Sequence, residues 1–122
     1  MTEDILTAFQ LNQLMMKLSR DIDDAVGEYK LRAEDFAAAK TTSEFAAATA
    51  WPMNDKRTVD EKRSLVTIAT SKELFAELKA EALRNSADRA LKAAMAKLSA
   101  CQSLAAALRE ELRFNRVGGG DL

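Results

Sequence analysis

Residues that interrupt helices are nearly absent from this chain. It has four glycines and one proline in 122 residues, and only Gly27 and Pro52 lie before the closing run at 118–120. Residues that favour helices, such as Ala, Leu, Lys, Glu and Arg, dominate the rest. No segment alternates apolar and polar residues over the length of a strand. The sequence therefore predicts an all-α fold.

The single proline divides the predicted helices. Pro52 disfavours helical conformation at Trp51 and so predicts an irregular connector between two helical halves. The predicted order is a long helix over about residues 3–40, the connector over about 41–58, helical structure over 58–114 and a flexible tail over 118–122. We interpret residues 1–117 as one helical domain.

Capping signals and a polar pair predict where the second half begins and is interrupted. Thr58 with Glu61 fits a capping box that starts a helix after the connector. Thr70 with Glu73 fits a second capping box, which would separate the segment 58–70 from the long helix after it. Asn85, followed by a serine, offers a further possible break.

Two long apolar stripes predict how the helices pack. In the first half, residues at steps of three and four form an eleven-residue repeat, which favours a nearly straight stripe. These residues are Leu11, Leu14, Leu18, Ile22, Ala25, Tyr29, Ala33 and Phe36. In the second half the repeat is seven residues, typical of left-handed bundle or coiled-coil packing. We call that set the heptad seam: Ala87, Leu91, Ala94, Leu98, Cys101, Ala105, Leu108 and Leu112.

The apolar content of the chain consists largely of small side chains. Hydrophobic residues make up 48% of it, but 23 of them are alanine. Alanine buries little area, and burial contributes only roughly 25 cal/mol per Å². We therefore expect a homo-oligomer in which other copies cover the remaining apolar surface, with the seam from Leu91 to Leu112 as the subunit interface.

Catalytic and metal-binding residues are scarce. The chain has no histidine and one cysteine, which excludes the common zinc sites and nucleophile systems that use histidine. Cys101 lies in the seam and is interpreted as a small packing residue. Asp21 and Asp24 could share a helix face and hold a cation weakly, although a solvated acidic face is the simpler interpretation. We expect no enzyme activity, no cofactor and no resident metal.

The sequence also predicts the compartment. Its first ten residues are acidic and have neither the basic start nor the apolar core of a signal peptide. No apolar run approaches the ~20 residues that span a bilayer. Lone Cys101 fits a reducing environment. We expect a soluble, cytoplasmic protein without membrane contact.

Basic and aromatic residues alternate around the connector and form a candidate nucleic-acid surface. The basic candidates are Lys30, Arg32, Lys40, Lys56, Arg57, Lys62 and Arg63, and the aromatic ones are Tyr29, Phe36, Phe45 and Trp51. Basic side chains contact phosphates and aromatic rings stack on bases, which is how single strands are bound. The alternative interpretation is that Tyr29 and Phe36 belong to the core and that the charges form ordinary solvated faces. The net charge of −1 indicates no strong general affinity for nucleic acid.

Residues 60–114 resemble small phage proteins related to the UvsY type of recombination mediator. The resemblance lies in a charged helix start, the segment "VTIATSKEL" at 66–74 and a long Ala/Leu helix that ends in "LREELRF" at 108–114, together with "EYKLR" at 28–32. It implies a helical, ring-like oligomer that binds single-stranded DNA and helps a recombinase load onto DNA covered by single-strand-binding protein. The nearest matches to the DNA-contacting residues of that family are Lys30, Arg32 and Lys40. It also implies the host cytoplasm as the compartment.

Two alternatives to a recombination mediator follow from the sequence. The apolar stripes also fit a helical protein–protein interaction module, such as a phage assembly or host-directed factor, that does not bind DNA. A tryptophan between two helices is typical of small secreted helical hairpins. Those proteins have Trp-x-Gly, however, whereas this chain reads Trp51-Pro52-Met53.

Overall fold

Three α-helices account for nearly all of the structure, a computed structural model that describes residues 7–53 and 55–120, with side chains as far as residue 115. They are α1 (Ala8–Ala50), α2 (Val59–Ala69) and α3 (Ser71–Gly120). The described residues include no strand. The all-α prediction is confirmed, with a long N-terminal helix against which a long C-terminal helix packs.

A reciprocal capping box lies at the start of the described part of α1. The Thr7 backbone N–H donates to Gln10 Oε1 at 2.9 Å, and the Gln10 N–H donates to Thr7 Oγ1 at 3.1 Å. These bonds satisfy N–H groups that have no partner within the helix. The predicted helix start near residue 3 lies outside the described residues.

Helix α1 continues ten residues beyond Lys40 and ends at Ala50. Within this extension the Thr41 hydroxyl donates to the Ala37 carbonyl at 2.9 Å. This backward bond lets a threonine remain inside a helix, because its hydroxyl is satisfied there. Pro52, two residues past the helix end, is the residue that prevents continuation. The connector is therefore residues 51–58, shorter than the predicted 41–58.

Helix α2 starts at the predicted cap. Thr58 has extended backbone angles, and its side-chain oxygen accepts the Glu61 backbone N–H at 3.2 Å. At its other end the Thr70 hydroxyl donates backwards to the Val66 carbonyl at 2.7 Å. The predicted Thr70–Glu73 capping box therefore does not form. The break at Thr70 is still present, because the residue lies between α2 and α3.

Helix α3 is continuous from Ser71 to Gly120. The break predicted at Asn85 does not occur, and its side-chain Oδ1 instead accepts a hydrogen bond from Arg84 Nη2 at 3.2 Å. The helix also includes residues 118–120, which the sequence predicted as tail. The last two residues of that predicted tail lie outside the described part.

The chain divides into two compact units. We call Met1–Val26 with Ala90–Leu122 the terminal unit, and Gly27–Arg89 the connector unit. The first apolar stripe is the inner face of α1, since each of its eight residues is buried or partly buried. Its residues from Leu11 to Ala25 lie in the terminal unit, and those from Tyr29 to Phe36 lie in the connector unit.

Little apolar surface is fully buried. Among the described residues only Leu11 and Leu18 are buried hydrophobic side chains, at 2% and 7% exposure. By contrast, sixteen large hydrophobic side chains of the described part of the chain are at least 39% exposed. None of the described helices is long and apolar enough to cross a membrane.

Gly27 lies in the middle of α1, where no close packing contact within the chain requires a glycine. A Cβ added there would meet nothing within 4 Å. A glycine in a helix interior costs about 1 kcal/mol relative to alanine. The chain therefore bears this cost without gaining a closer packing contact within itself.

Candidate nucleic-acid interface at the connector

The connector places Trp51 against the start of α2. Trp51 is partly buried, and with Arg63, Val66 and Thr67 of α2 and two alanines of α1 it lines a cavity of about 450 Å³. The Lys62 Nζ lies 5.9 Å from the centre of the Trp51 ring. This distance is at the outer limit of a cation–π contact. The structure thus brings one predicted aromatic residue and two predicted basic residues together.

The charge of Arg57 is partly neutralised by its neighbour. Asp55 Oδ2 accepts a hydrogen bond from Arg57 Nη1 at 2.8 Å, and Asp55 Oδ1 accepts the Arg57 backbone N–H at 2.9 Å. The second bond is an Asx turn, in which a side chain replaces the backbone acceptor. Arg57 therefore helps shape the connector, and a phosphate would have to compete with Asp55 for it.

Arg32 is also held by acidic neighbours. Its Nε donates to Glu28 Oε1 at 2.7 Å, one helical turn away, and its Nη1 lies 4.0 Å from Asp35 Oδ2. Such exposed pairs contribute little stability, about 0–1 kcal/mol. They nevertheless place a carboxylate beside the cation, which makes Arg32 a weaker phosphate ligand than the sequence predicted.

The other five basic candidates form no ion pair within the described part of the chain. Lys30, Lys40, Lys56 and Arg63 are exposed, and Lys62 is partly buried. Among the described contacts, none joins Lys30 or Lys40 on α1 to the residues around Trp51. We call Trp51, Lys56, Lys62 and Arg63 the connector cluster, because these four residues lie on the connector and the first turns of α2.

Two of the aromatic candidates pack inside the protein, which leaves them less available to stack on bases. Tyr29 and Phe36 are partly buried on the inner face of α1. The Arg84 guanidinium lies over the Phe36 ring, 4.3 Å from its centre, which is a close cation–π contact. Sequence reasoning missed Arg84. The sequence pattern could have identified it, because Arg84 lies three residues before Ala87 and therefore continues the heptad seam on the inner face of α3.

Acidic residues limit the charge of this surface. Residues 51–63 contain four basic and three acidic side chains, a net charge of +1. Asp60 and Glu61 lie in the first turn of α2, where the helix dipole favours carboxylates. Since one cluster is only modestly basic, tight binding of a strand would need several copies acting together.

The heptad seam packs inside the chain. Its residues from Ala87 to Leu108 are partly buried, and only Leu112 is classed as exposed. In the terminal unit Leu108 and Leu112 line a cavity of about 310 Å³ together with Leu11 and Met15 of α1. Assignment of Leu91, Ala94, Leu98, Cys101, Ala105, Leu108 and Leu112 to a subunit interface stays a prediction. Cys101 is a partly buried free cysteine.

The described residues contain no group of three or more potential metal ligands. Asp21 and Asp24 are both exposed. No protein-family model, no curated protein and no solved structure matches this chain. The resemblance of residues 28–32 and 60–114 to UvsY-type mediators therefore stays a prediction from the sequence.

Proposed function

We propose that this chain is a non-enzymatic, self-assembling helical protein that binds single-stranded DNA and assists recombinase loading in the host cytoplasm. The observation that supports this proposal is the connector cluster. It combines the one tryptophan of the chain with three basic side chains that form no ion pair in the described region. A recombinase and a single-strand-binding protein would be its partners, as the family resemblance implies.

The connector cluster has the chemistry that a single strand requires. Lysine and arginine can neutralise backbone phosphates, and an indole ring can stack on a base of any sequence. In the free protein the Lys62 ammonium lies near the Trp51 ring, 5.9 Å from its centre. A base stacking on that ring would move Lys62 aside, toward the phosphates. Binding would therefore exchange a weak cation–π contact for a stacked base and an ionic contact.

Self-assembly is supported by the distribution of apolar side chains. Two buried leucines make a small hydrophobic core for helices of 43 and 50 residues. Several of the sixteen exposed large hydrophobic side chains lie on the same helix face, as in surfaces that contact other proteins. Repetition of the connector cluster in an assembly would convert weak individual contacts into stronger binding of one strand.

Binding can be measured with the tryptophan of the protein itself. Fluorescence anisotropy of a labelled single-stranded oligonucleotide at low salt should show saturable, salt-sensitive binding. Quenching of Trp51 emission should follow the same curve, because a stacked base contacts the indole directly. Absence of binding by the assembled protein at low salt would overturn the proposal.

A double variant assigns the contact to the cluster. Lys62→Gln with Arg63→Gln should lower the dependence of log affinity on log salt by about 1.4, since each phosphate contact on a single strand contributes roughly 0.7. The matched control is Lys97→Gln with Arg113→Gln, two exposed basic residues of α3. Equal slopes for the cluster variant and the wild type would place the DNA contact elsewhere.

A second candidate function is a helical interaction module for another protein, such as a phage assembly or host-directed factor. The sixteen exposed hydrophobic side chains favour it, because they provide apolar contact surface without requiring a basic one. This candidate predicts partner-dependent stability and no affinity for DNA. Recovery of nucleic acid alone in a pulldown from the native host would argue against it.

A further inference from the structure

Two exposed stripes with heptad spacing lie in the connector unit. The α1 outer stripe consists of Gly27, Leu31, Glu34, Ala38, Thr41 and Phe45, and the α3 outer stripe of Ile68, Lys72, Phe75, Lys79, Ala82 and Ser86. All twelve residues are exposed. Steps of four and three residues are typical of helices that pack against another helix. The α1 outer stripe covers 19 residues of one helix, roughly 27 Å, and the α3 outer stripe covers 19 residues across the junction between α2 and α3.

The α3 outer stripe crosses the junction between α2 and α3, because Ile68 lies in α2 and the other five residues lie in α3. The Thr70 backbone N–H donates to the Val66 carbonyl at 2.9 Å, and the Thr70 carbonyl accepts the Leu74 N–H at 2.9 Å. The helical bonds from the N–H groups of residues 71–73 to the carbonyls of 67–69 are not formed, so the helical hydrogen bonding is interrupted at Thr70. The part of the stripe that lies on one continuous helix runs from Lys72 to Ser86.

Large apolar side chains occupy both stripes. Phe45, Ile68 and Phe75 are each at least 70% exposed, and Leu31 is about half exposed. By contrast, the buried side chains among the described residues of the connector unit are the small polar Ser43 and Thr70. Several large apolar groups of this unit thus lie at the surface, where a second helix can cover them, whereas Tyr29, Phe36 and Trp51 are partly buried.

Gly27 gives the α1 outer stripe a point of close approach. A Cβ at this position would meet nothing of the chain within 4 Å. A glycine here leaves room for the backbone of a helix from another molecule. Internal packing does not explain this glycine, whereas an intermolecular contact does.

The charges of the stripes determine which surfaces can meet. Lys72 and Lys79 are the ionised residues of the α3 outer stripe, and Glu34 is the ionised residue of the α1 outer stripe. Two α3 outer stripes would bring lysines together, which is unfavourable. An α1 outer stripe against an α3 outer stripe brings a carboxylate to lysines instead. The two stripes also contain the same number of residues.

We infer that the α1 outer stripe of one copy packs on the α3 outer stripe of the next copy. Such a head-to-tail contact uses two different surfaces and repeats from copy to copy. The inference rests on the proposed function, because it names the surfaces through which the self-assembly takes place. The heptad seam then stabilises the single chain, and the two outer stripes join the chains.

A matched pair of substitutions tests the apolar part of the contact. Phe75 and Phe9 are both 70% exposed, but Phe9 lies in the terminal unit and outside both stripes. Wild type and Phe9→Asp should have a mass in solution that is a multiple of 13.4 kDa, by light scattering or sedimentation. Phe75→Asp should have the mass of one chain with unchanged helical circular dichroism.

Charge reversal tests the direction of the contact. Lys72→Glu with Lys79→Glu, and separately Glu34→Lys, should each raise the dissociation constant of the assembly roughly three- to tenfold at low salt. A mixture of the two variants should assemble as wild type does, because attractive pairs form again between unlike chains. The controls are Lys97→Glu with Arg113→Glu, and Asp21→Lys, all at exposed positions outside the stripes.

The outcomes separate this inference from the proposed function. If the Phe75→Asp variant assembled like the wild type, the head-to-tail contact would be overturned. The same holds if the two charge variants stayed dissociated when mixed. A single-chain mass for the wild type would overturn it too and would remove self-assembly from the proposed function. Fluorescence anisotropy of the labelled oligonucleotide, measured on the same samples, tests independently whether the protein binds single-stranded DNA.

Discussion

The terminal unit and the connector unit bury different kinds of side chain. Among the described residues, the buried side chains of the terminal unit are Leu11 and Leu18, whereas those of the connector unit are Ser43 and Thr70. Leucine burial contributes about 1.5–3 kcal/mol per side chain relative to exposure, and small polar residues contribute far less. The terminal unit is therefore stabilised mainly by hydrophobic packing. The connector unit depends more on helix hydrogen bonds, caps and contacts with other molecules.

The inner face of α3 changes its chemistry between the two units. In the terminal unit it carries Leu91, Leu98 and Leu108, all partly buried. In the connector unit Glu73, Glu77 and Glu81 are partly buried at steps of four residues, beside the partly buried Leu74 and Ala80. One continuous helix thus has an apolar inner face in one unit and a mixed apolar and charged one in the other.

The largest effect is expected from truncation of a buried leucine in the terminal unit. Leu18→Ala should lower the free energy of unfolding by about 3 kcal/mol, because it removes apolar contacts and leaves a cavity. The exposed control Met16→Ala should change it by less than about 0.5 kcal/mol. Denaturant unfolding followed by circular dichroism, at one protein concentration, measures both. Similar losses for the two variants would contradict a core centred on the terminal unit.

The heptad seam should tolerate loss of its thiol but not a charge. Leu98→Asp should destabilise the chain by about 2 kcal/mol, because it places a carboxylate on a partly buried apolar face. Cys101→Ala should cost less than about 1 kcal/mol and should leave assembly and DNA binding unchanged. Thermal unfolding and anisotropy measure these effects. Loss of DNA binding by Cys101→Ala with the fold intact would show that the thiol has a functional role.

In the connector unit the Thr58 cap should stabilise the start of α2. Thr58→Ala removes the side-chain acceptor of the Glu61 N–H and should cost about 1 kcal/mol. The expected effect is local, so amide hydrogen exchange at the start of α2 should accelerate before global stability falls. Thr58→Ser, which keeps the hydroxyl, is the matched control. Identical exchange in both variants would mean that the cap does not hold α2.

The smallest effect should be a gain in stability. Gly27→Ala should raise the free energy of unfolding of the single chain by up to about 1 kcal/mol, because alanine favours helix and its Cβ meets nothing in the chain. Unfolding is best measured for this variant in the Phe75→Asp background, in which we expect single chains. A loss of stability would show that Gly27 is needed within the chain rather than between chains.

Much of the fold was predictable because it follows from local sequence. The absence of breakers indicates helices, the Thr58 cap indicates where α2 starts, and the stripe beginning at Leu11 indicates the inner face of α1. Errors occurred where a side chain had two possible hydrogen-bond partners. Thr70, predicted to cap a new helix, donates to a carbonyl of the preceding turn instead, and the same kind of bond keeps Thr41 inside α1, where the connector was predicted to begin. The sequence does not show which partner is chosen.

The candidate site was less predictable than the fold. Sequence spacing placed seven basic residues around the connector, but it could not show that Arg32 and Arg57 lie beside Glu28 and Asp55. Nor could it show that Lys62 lies near Trp51, because that contact joins the end of one helix to the start of another. Charges counted along a chain do not reveal which of them are already paired.

By itself, the sequence determined that this protein is helical, that its helices have apolar faces with heptad or eleven-residue spacing, and that it lacks histidine chemistry. These properties depend on residue type and on neighbours within one or two helical turns. Only the tertiary structure decided that the heptad seam packs within the chain and that Leu31, Phe45, Ile68 and Phe75 remain exposed. The physical reason is that a helix can present several apolar stripes, and the packing of whole helices selects which stripe is buried.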